Sequence, residues 1–142
     1  MAVKQISVYI ENKQGALSDI TGLLASEGID LRSLCIADTK DFGILRLIVD
    51  DPEKAAKIIK AAGHTFNVRE VVCFKVPNEA GGLARVLRIL DGNGINIEYM
   101  YAFTGSGPEE AYVVIRVNDV KTAEELLNAN GIRTLSDENL KI

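Results

Sequence analysis

Hydrophobic and polar residues alternate in the first segment of the chain. Ile6, Val8 and Ile10 lie on one side of residues 5–11, and this alternation predicts a half-buried strand. After a polar break, apolar residues recur at helical spacing over residues 16–27, and Gly28 stands where a helix C-cap is expected. The chain is therefore predicted to begin with a strand and a helix that each bury one face.

The following segments continue the succession of strand and helix patterns. We predict strands over residues 29–37, 44–49 and 65–68, with a turn at 38–41. Asp51 as N-cap and Pro52 at the first helical position predict a second helix, which Gly63 ends. The order is βαββαβ, and helices with one apolar face cover one face of a sheet. The pattern therefore predicts an α+β two-layer sandwich of ferredoxin-like topology.

The second half of the chain repeats the first. Residues 6–17 match 72–83, which lie 66 positions later, and residues 28–31 (Gly-Ile-Asp-Leu) return as 94–97 (Gly-Ile-Asn-Ile). From Val49 onward the offset is 68, so a two-residue insertion falls in the loop at 105–110. The second repeat is predicted to have strands from Val72, near 95–103, over 110–117 and near 132–135, and helices over 82–93 and 120–130. We therefore predict a duplicated fold with domains over residues 1–70 and 71–142.

Composition and charge narrow the class of protein. The chain has 47% hydrophobic and 25% charged residues, as soluble globular domains do. A net charge of −4 without a basic stripe argues against a nucleic-acid or anionic-membrane partner. No apolar run approaches the ~20 residues that span a membrane, and no signal-peptide core is recognised. With only Cys35 and Cys73, we expect a cytoplasmic protein without a disulfide framework.

Patterns of catalytic, metal and cofactor sites are missing from the sequence. The single histidine, His64, follows a predicted helix end and has no nucleophile pattern around it. Cys35 and Cys73 lie in strand patterns without C-x-x-C spacing, which favours buried small side chains. No glycine-rich phosphate loop precedes a helix. We therefore expect no catalytic residues, no metal site and no cofactor.

An aromatic row marks one strand of the second repeat. Tyr99, Tyr101 and Phe103 alternate along it and share one face. Sheets of this topology bind RNA through exposed aromatic residues in a basic setting, whereas this chain is acidic. The row is therefore interpreted as the wall of a pocket or an interface, with packing in the core as the alternative.

The turn between the first strand and the first helix of each repeat is the best candidate for a binding site. Residues 12–16 (Asn-Lys-Gln-Gly-Ala) and 78–82 (Asn-Glu-Ala-Gly-Gly) place small residues at a helix N-terminus. Free N–H groups and the positive end of the helix dipole suit a carboxylate there, and glycine lets a ligand approach the backbone. Asn and Gly are also ordinary turn residues. The recurrence of the turn, with Asp30 and Asn96 at matching positions, favours binding.

The motif strand–Asn-x-x-Gly-x-Leu–helix–Gly-Ile-(Asn/Asp)-Ile/Leu resembles that of the ACT domain, a βαββαβ module that senses amino acids in metabolic enzymes and regulators. The resemblance covers nearly the whole chain as two tandem copies, and the second copy is the closer match. Gln14 and Ala80 replace a proline that is frequent before the loop glycine in that family, which makes the loops less rigid. The resemblance implies two domains side by side in one eight-stranded antiparallel sheet.

The resemblance also implies a ligand site at each seam between paired domains. One site joins Asn12, Gln14, Gly15, Ala16 and Leu17 with Asn96, Ile97 and Glu98. The other joins Asn78, Ala80, Gly81, Gly82 and Leu83 with Asp30, Leu31 and Arg32. Backbone N–H groups are expected to hold the carboxylate of an amino acid and Asn96 or Asp30 its ammonium group, with the ligand side chain directed toward Tyr99 or Ser33. Because residues 30 and 96 differ, the two sites are not expected to be equivalent.

These observations predict an allosteric, amino-acid-binding regulatory protein that is not an enzyme. The expected partners are a free amino acid, a protein target and a second copy of the chain in a homodimer. The identity of the amino acid, the number of sites used, the target and the oligomeric state are left open. Two alternatives also remain: a dimerisation or protein-interaction module without a ligand, and an acylphosphatase-like hydrolase. The hydrolase is disfavoured because it requires a phosphate-cradling loop with a well-placed arginine, which neither turn supplies.

Overall fold

The computed structural model describes residues 2–38, 41–104 and 109–138. Within these ranges the first elements are β1 (Val3–Glu11), α1 (Ala16–Ser26), β2 (Leu31–Asp38), β3 (Phe42–Val49) and α2 (Pro52–Ala61). They are followed by β4 (Phe66–Pro77), α3 (Gly82–Asp91), β5 (Ile97–Thr104), β6 (Glu110–Val117), α4 (Val120–Ala129) and β7 (Thr134–Leu135). The chain divides into two compact units. The first unit is Lys4–Arg69, and the second consists of the described residues from Glu70 on, together with Ala2 and Val3.

In the first unit, a sheet packs against two helices. Strands β2, β3 and β1 pair antiparallel in that order, and Leu47 of β3 lies between Leu34 and Ile6. The N–H of Tyr9 donates to the carbonyl oxygen of Thr65 at 2.9 Å, next to the beginning of β4. The core combines buried residues of the sheet and both helices: Ile6, Val8, Ile10, Ile20, Leu24, Ile29, Leu45, Leu47, Val49, Ala55 and Ile59.

The second unit has the same plan. Strands β5, β6 and β4 pair antiparallel in that order, with Ile115 of β6 between Met100 and Val72. Strand β7 pairs antiparallel with the other edge of β4, where Phe74 lies opposite Thr134. The core consists of Val72, Phe74, Val76, Val86, Leu90, Ile95, Val113, Ile115, Val117, Ala123, Leu127 and Ile132. The α+β class and the ferredoxin-like topology of each unit are therefore confirmed.

One difference concerns the junction between the repeats. Strands were predicted over 65–68 and from Val72, within one extended, apolar-rich stretch over 66–76, and the structure joins them in the single strand β4 of 12 residues. No glycine or proline interrupts residues 66–76, so nothing breaks the extended backbone there. The predicted side-by-side eight-stranded sheet stays a prediction.

The helix ends also differ slightly from the expectation. The strands predicted to begin at Ile29 and near Ile95 start two residues later, as β2 and β5. The N–H groups of Ile29 and Ile95 instead donate back to Leu24 and Leu90 at 3.0 and 3.1 Å, and each follows a left-handed glycine. These bonds are those of a Schellman helix end, so both isoleucines belong to helix termini.

Parts of two other predicted features, the turn at 38–41 and the insertion at 105–110, lie outside the described residues. In the part of the chain that the structure describes, no helix is long and apolar enough to cross a membrane.

Candidate ligand-binding loops

Two equivalent loops connect the first strand of each unit to its first helix. Loop A is residues 12–15, between β1 and α1, and loop B is residues 78–81, between β4 and α3. Gly15 and Gly81 act as N-caps with φ of 90° and 85°, a left-handed conformation that favours glycine. The Asn-x-x-Gly motif therefore recurs because each loop must turn through the same backbone geometry.

The two loops leave their helices without a side-chain cap. Within the described chain, no side chain caps α1 or α3. In contrast, Asp51 Oδ1 accepts from the N–H of Lys54 at 3.1 Å at the start of α2. Asp119 Oδ1 accepts from the N–H of Thr122 at 3.1 Å at the start of α4.

The N–H of Ala16 already donates to the carbonyl oxygen of Lys13 at 3.3 Å, and that of Gly82 to the carbonyl oxygen of Glu79 at 3.2 Å. The next N–H groups of α1 and α3 have no side-chain cap and suit a ligand or water, whereas α2 and α4 each have one first-turn N–H capped by an aspartate.

Backbone bonds anchor both loops in the same way. The N–H of Asn12 donates to the carbonyl of Asp41 at 3.0 Å, and that of Asn78 donates to Glu109 at 2.8 Å. The loops differ at their closest approach to the strand. A Cβ on Gly82 would lie 2.5 Å from the carbonyl oxygen of Pro77, so the helix after loop B requires glycine as its first residue, where the helix after loop A has Ala16.

The predicted residues on the second strands share a backbone bond but differ in their side chains. The N–H of Asp30 donates to Asp50 Oδ1 at 3.0 Å, and that of Asn96 donates to Asn118 Oδ1 at 3.2 Å. Asp30 Oδ2 also pairs with Nη1 of Arg32 at 2.9 Å. Asn96 is exposed. The carboxylate of Asp30 is therefore engaged locally, and this supports the expectation that the positions are not equivalent.

In both repeats a β-bulge lies two residues after these positions. The register of β2 shifts at Arg32, and that of β5 shifts at Glu98. Glu98 Oε2 lies 3.6 Å from Nε of Arg116. Bulges redirect side chains and often lie next to functional sites. Their recurrence at the same place in both repeats makes this strand position a candidate for a functional site.

The apolar members of the predicted sites contribute to packing. Leu31 and Ile97 pack against the cores of the first and second units, as does Leu83 in the second. Leu17 at the start of α1 is 37% exposed, and Gln14 and Ala80 in the loops are exposed.

Within one unit, the loop and the beginning of the second strand do not form a common site. Loop A follows Glu11, which lies opposite Phe42 at one end of the sheet. Leu31 lies opposite Val49, seven residues farther along β3. At ~3.3 Å per residue the two places are about 23 Å apart. Residues 12–17 and 30–32 thus cannot contact one ligand together.

Three features that the sequence analysis named lie outside the two loops: the aromatic row, Cys73 and His64. Phe103 stacks on Tyr112 with ring centroids 5.1 Å apart, and Lys75 Nζ lies 5.2 Å from the Tyr112 ring, so part of the aromatic row is used in packing. Cys73 is buried, as predicted, and burial raises the pKa of its thiol to about 12. His64 lines a cavity in the first unit, which the sequence pattern around it did not indicate.

A duplicated ferredoxin-like fold whose first helices start at uncapped glycine loops is typical of paired regulatory domains. The family described as an ACT domain pair matches residues 1–142, and this chain belongs to that family. A protein of Bacteroides thetaiotaomicron with a known crystal structure is 43% identical, with a TM-score of 0.94 over all of this chain and 98% of that one. The regulatory subunit of aspartate kinase from Thermus thermophilus shares the fold, with a TM-score of 0.67 at 15% identity over 91% of this chain and 93% of that one.

The curated relatives are longer proteins. The acetolactate synthase isozyme 3 small subunit of Escherichia coli is 31% identical over 94 residues, which are 66% of this chain and 48% of that protein. The chain thus spans about half the length of the curated relatives it matches.

Proposed function

We propose that this chain is a non-catalytic regulatory protein that binds a free amino acid through its two loops. The ligand carboxylate is held by first-turn N–H groups of α1 or α3. Its ammonium group is held by a polar residue at the beginning of a second strand, Asn96 for loop A and Asp30 for loop B. The observation that carries the proposal is that α1 and α3 lack side-chain caps, while α2 and α4 are capped by aspartates.

The two sites of this proposal each combine residues of both repeats. The first consists of Asn12, Gln14, Gly15, Ala16 and Leu17 with Asn96, Ile97 and Glu98. The second consists of Asn78, Ala80, Gly81, Gly82 and Leu83 with Asp30, Leu31 and Arg32. A loop and a second strand from different repeats are combined because, within the first unit, the loop and the second strand lie about 23 Å apart along the sheet.

The loop A site is proposed to bind the amino acid more tightly. The exposed Asn96 offers its amide oxygen to an ammonium group without breaking an ion pair. Asp30 must first release Arg32, from which it lies 2.9 Å away. The Asp30–Arg32 pair therefore opposes ligand binding at the loop B site.

The output of the proposed sensor is a change in a protein partner. The relatives include a small subunit of acetolactate synthase and a regulatory subunit of aspartate kinase. We propose that this chain likewise acts on a catalytic protein, and that it does so in the cytoplasm as a homodimer.

Thermal unfolding in the presence of each of the twenty amino acids tests the proposal. A ligand at 100 times its Kd stabilises the folded protein by about 2.7 kcal/mol, which raises Tm by several degrees at this size. We expect a selective shift that Asn96→Ala abolishes and Asn78→Ala weakens. The matched control is Asn130→Ala, since Asn130 lies at the C-terminal end of α4.

The absence of a shift with every amino acid would contradict the proposal and favour an interaction module without a ligand. An equal loss of the shift in Asn130→Ala would also contradict it, because that residue belongs to neither loop. Size measurements at each ligand concentration report separately whether binding changes the oligomeric state.

A further inference from the structure

A cavity of about 430 Å³ opens in the first unit where β1 ends and β3 begins, beside the turn between α2 and β4. This volume is in the range of small-molecule sites. The register explains how two aromatic rings reach the cavity. Tyr9 lies opposite Ile44 and Glu11 opposite Phe42, so Tyr9 and Phe42 are diagonal neighbours on the same sheet face. The bond from the N–H of Tyr9 to the carbonyl oxygen of Thr65 brings the neighbouring His64 to the same place.

The two aromatic residues present apolar surface at this cavity. Tyr9 is 43% exposed and Phe42 is 56% exposed, whereas Ile10, between Tyr9 and Glu11 in β1, is buried in the core. Exposed aromatic faces attract organic cations because the negative face of the ring quadrupole is directed outward. The apolar wall of the cavity thus suits the body of a cationic molecule.

The charges at the cavity also favour a cation. Glu11 Oε2 and Lys13 Nζ form an ion pair at 3.4 Å. Asp19 in the first turn of α1 lines the same cavity, and within the described chain it has no ion-pair partner. One carboxylate therefore remains uncompensated by Lys13.

The second unit preserves the backbone of this region but not its chemistry. The N–H of Lys75 donates to the carbonyl of Arg133 at 3.3 Å, as that of Tyr9 does to Thr65. The sequence positions that correspond to the seven polar and aromatic lining residues carry other side chains: Lys75, Pro77, Glu79, Arg85, Glu110, Ile132 and Arg133 in place of Tyr9, Glu11, Lys13, Asp19, Phe42, His64 and Thr65. Both aromatic rings are lost and the acid at position 19 becomes an arginine, so this lining chemistry belongs to the first repeat.

We propose that this cavity binds a small organic cation, with its ammonium group at Asp19 and its apolar body against Tyr9 and Phe42. The site goes beyond the proposed amino-acid function, because it lies within one unit. It includes Lys13 of loop A, and it shares only Ala16 with the residues of the first proposed amino-acid site. His64 supplies a ring nitrogen for a further hydrogen bond to the ligand.

The test is an NMR titration of the isotope-labelled full chain with three probes that share a phenyl ring: 2-phenylethylammonium, 2-phenylethanol and 3-phenylpropanoate. We expect the amine to shift the amide signals of Tyr9, Phe42 and His64, and to bind more tightly than the alcohol and the carboxylate. Asp19→Asn should raise the Kd of the amine about threefold to fivefold, as expected for one exposed charge pair. Phe42→Leu should have an effect of similar size through the lost ring face.

Asp91→Asn is the matched control, since Asp91 is an exposed acid at the end of α3 in the other unit. Equal binding of amine and alcohol, the absence of shifts at these amides at millimolar amine, or an equal effect of Asp91→Asn would overturn the proposal. Asn96→Ala should leave the amine titration unchanged, and Phe42→Leu should leave any amino-acid Tm shift unchanged. A failure of one site is thereby distinguished from a failure of the other.

Discussion

Asp30 Oδ2 lies 2.9 Å from Nη1 of Arg32, which stands at the bulge of β2. At the corresponding place in the second repeat, Asn96 carries no charge and Glu98 pairs instead with Arg116 at 3.6 Å. The duplication has therefore kept the backbone of this strand and changed its electrostatics. The difference gives the two proposed amino-acid sites different affinities.

Arg32→Gln is expected to strengthen amino-acid binding at the loop B site, because it releases the Asp30 carboxylate. The free energy of unfolding should change by no more than about 1 kcal/mol, since the Asp30 side chain is 61% exposed. Isothermal titration calorimetry measures the affinity and the number of sites, and urea unfolding measures the stability. Arg88→Gln on α3 is the control; a weaker loop B site in Arg32→Gln would show that the ion pair supports the ligand.

Gly82→Ala is expected to destabilise the protein by about 1–3 kcal/mol, as overpacking does. The added Cβ would lie 2.5 Å from the backbone oxygen of Pro77, which cannot rotate away. Gly22→Ala in α1 is the matched control, because nothing lies within 4 Å of its Cβ position and alanine favours a helix by roughly 0.5–1 kcal/mol. Urea unfolding of both variants should therefore give changes of opposite sign, and equal changes would contradict the close approach.

Asp119→Asn tests the cap of α4 through its pH dependence. Hydrogen bonds from the Thr122 hydroxyl and then from its N–H lower the pKa of Asp119 in the folded protein. A carboxyl whose pKa is lowered by folding stabilises the folded protein fully above its unfolded pKa of about 4. This stabilisation is lost as the pH falls through the lower, folded pKa. The stability difference between wild type and Asp119→Asn should thus be constant near neutral pH and shrink in acid. Urea unfolding of the wild type and of Asp119→Asn, from neutral pH into acid, measures this difference.

Cys73 is expected to limit stability at alkaline pH. Burial raises the pKa of its thiol to about 12, whereas an unfolded thiol ionises near ~8.5. A thiol whose pKa is raised by folding stabilises the folded protein fully below the unfolded pKa. This stabilisation is lost as the pH rises toward the folded pKa. Between pH ~8 and ~10, wild type should lose about 2 kcal/mol more than Cys73→Ala in urea unfolding. A thiol reagent should also modify the half-buried Cys35 before Cys73 in the native protein.

The local features of the candidate site were predictable from the sequence. Gly15 and Gly81 were recognised at helix N-termini because left-handed turns before a helix favour glycine, and Asp51 was recognised because aspartate caps a helix locally. The residue types alone did not decide whether Asp30 is available to a ligand or pairs with Arg32, which stands at the bulge of β2. Bulges leave no reliable mark in the order of side chains.

The sequence by itself determined the duplication, the order of strands and helices, and the recurrence of the loops, because hydrophobic periodicity and helix-end chemistry act over a few residues. The tertiary structure alone decided that Tyr9, Phe42 and His64, distant in the chain, line one cavity. The physical reason is that strand register sets which distant side chains meet, and a shift of one residue would move Tyr9 to the other face of the sheet.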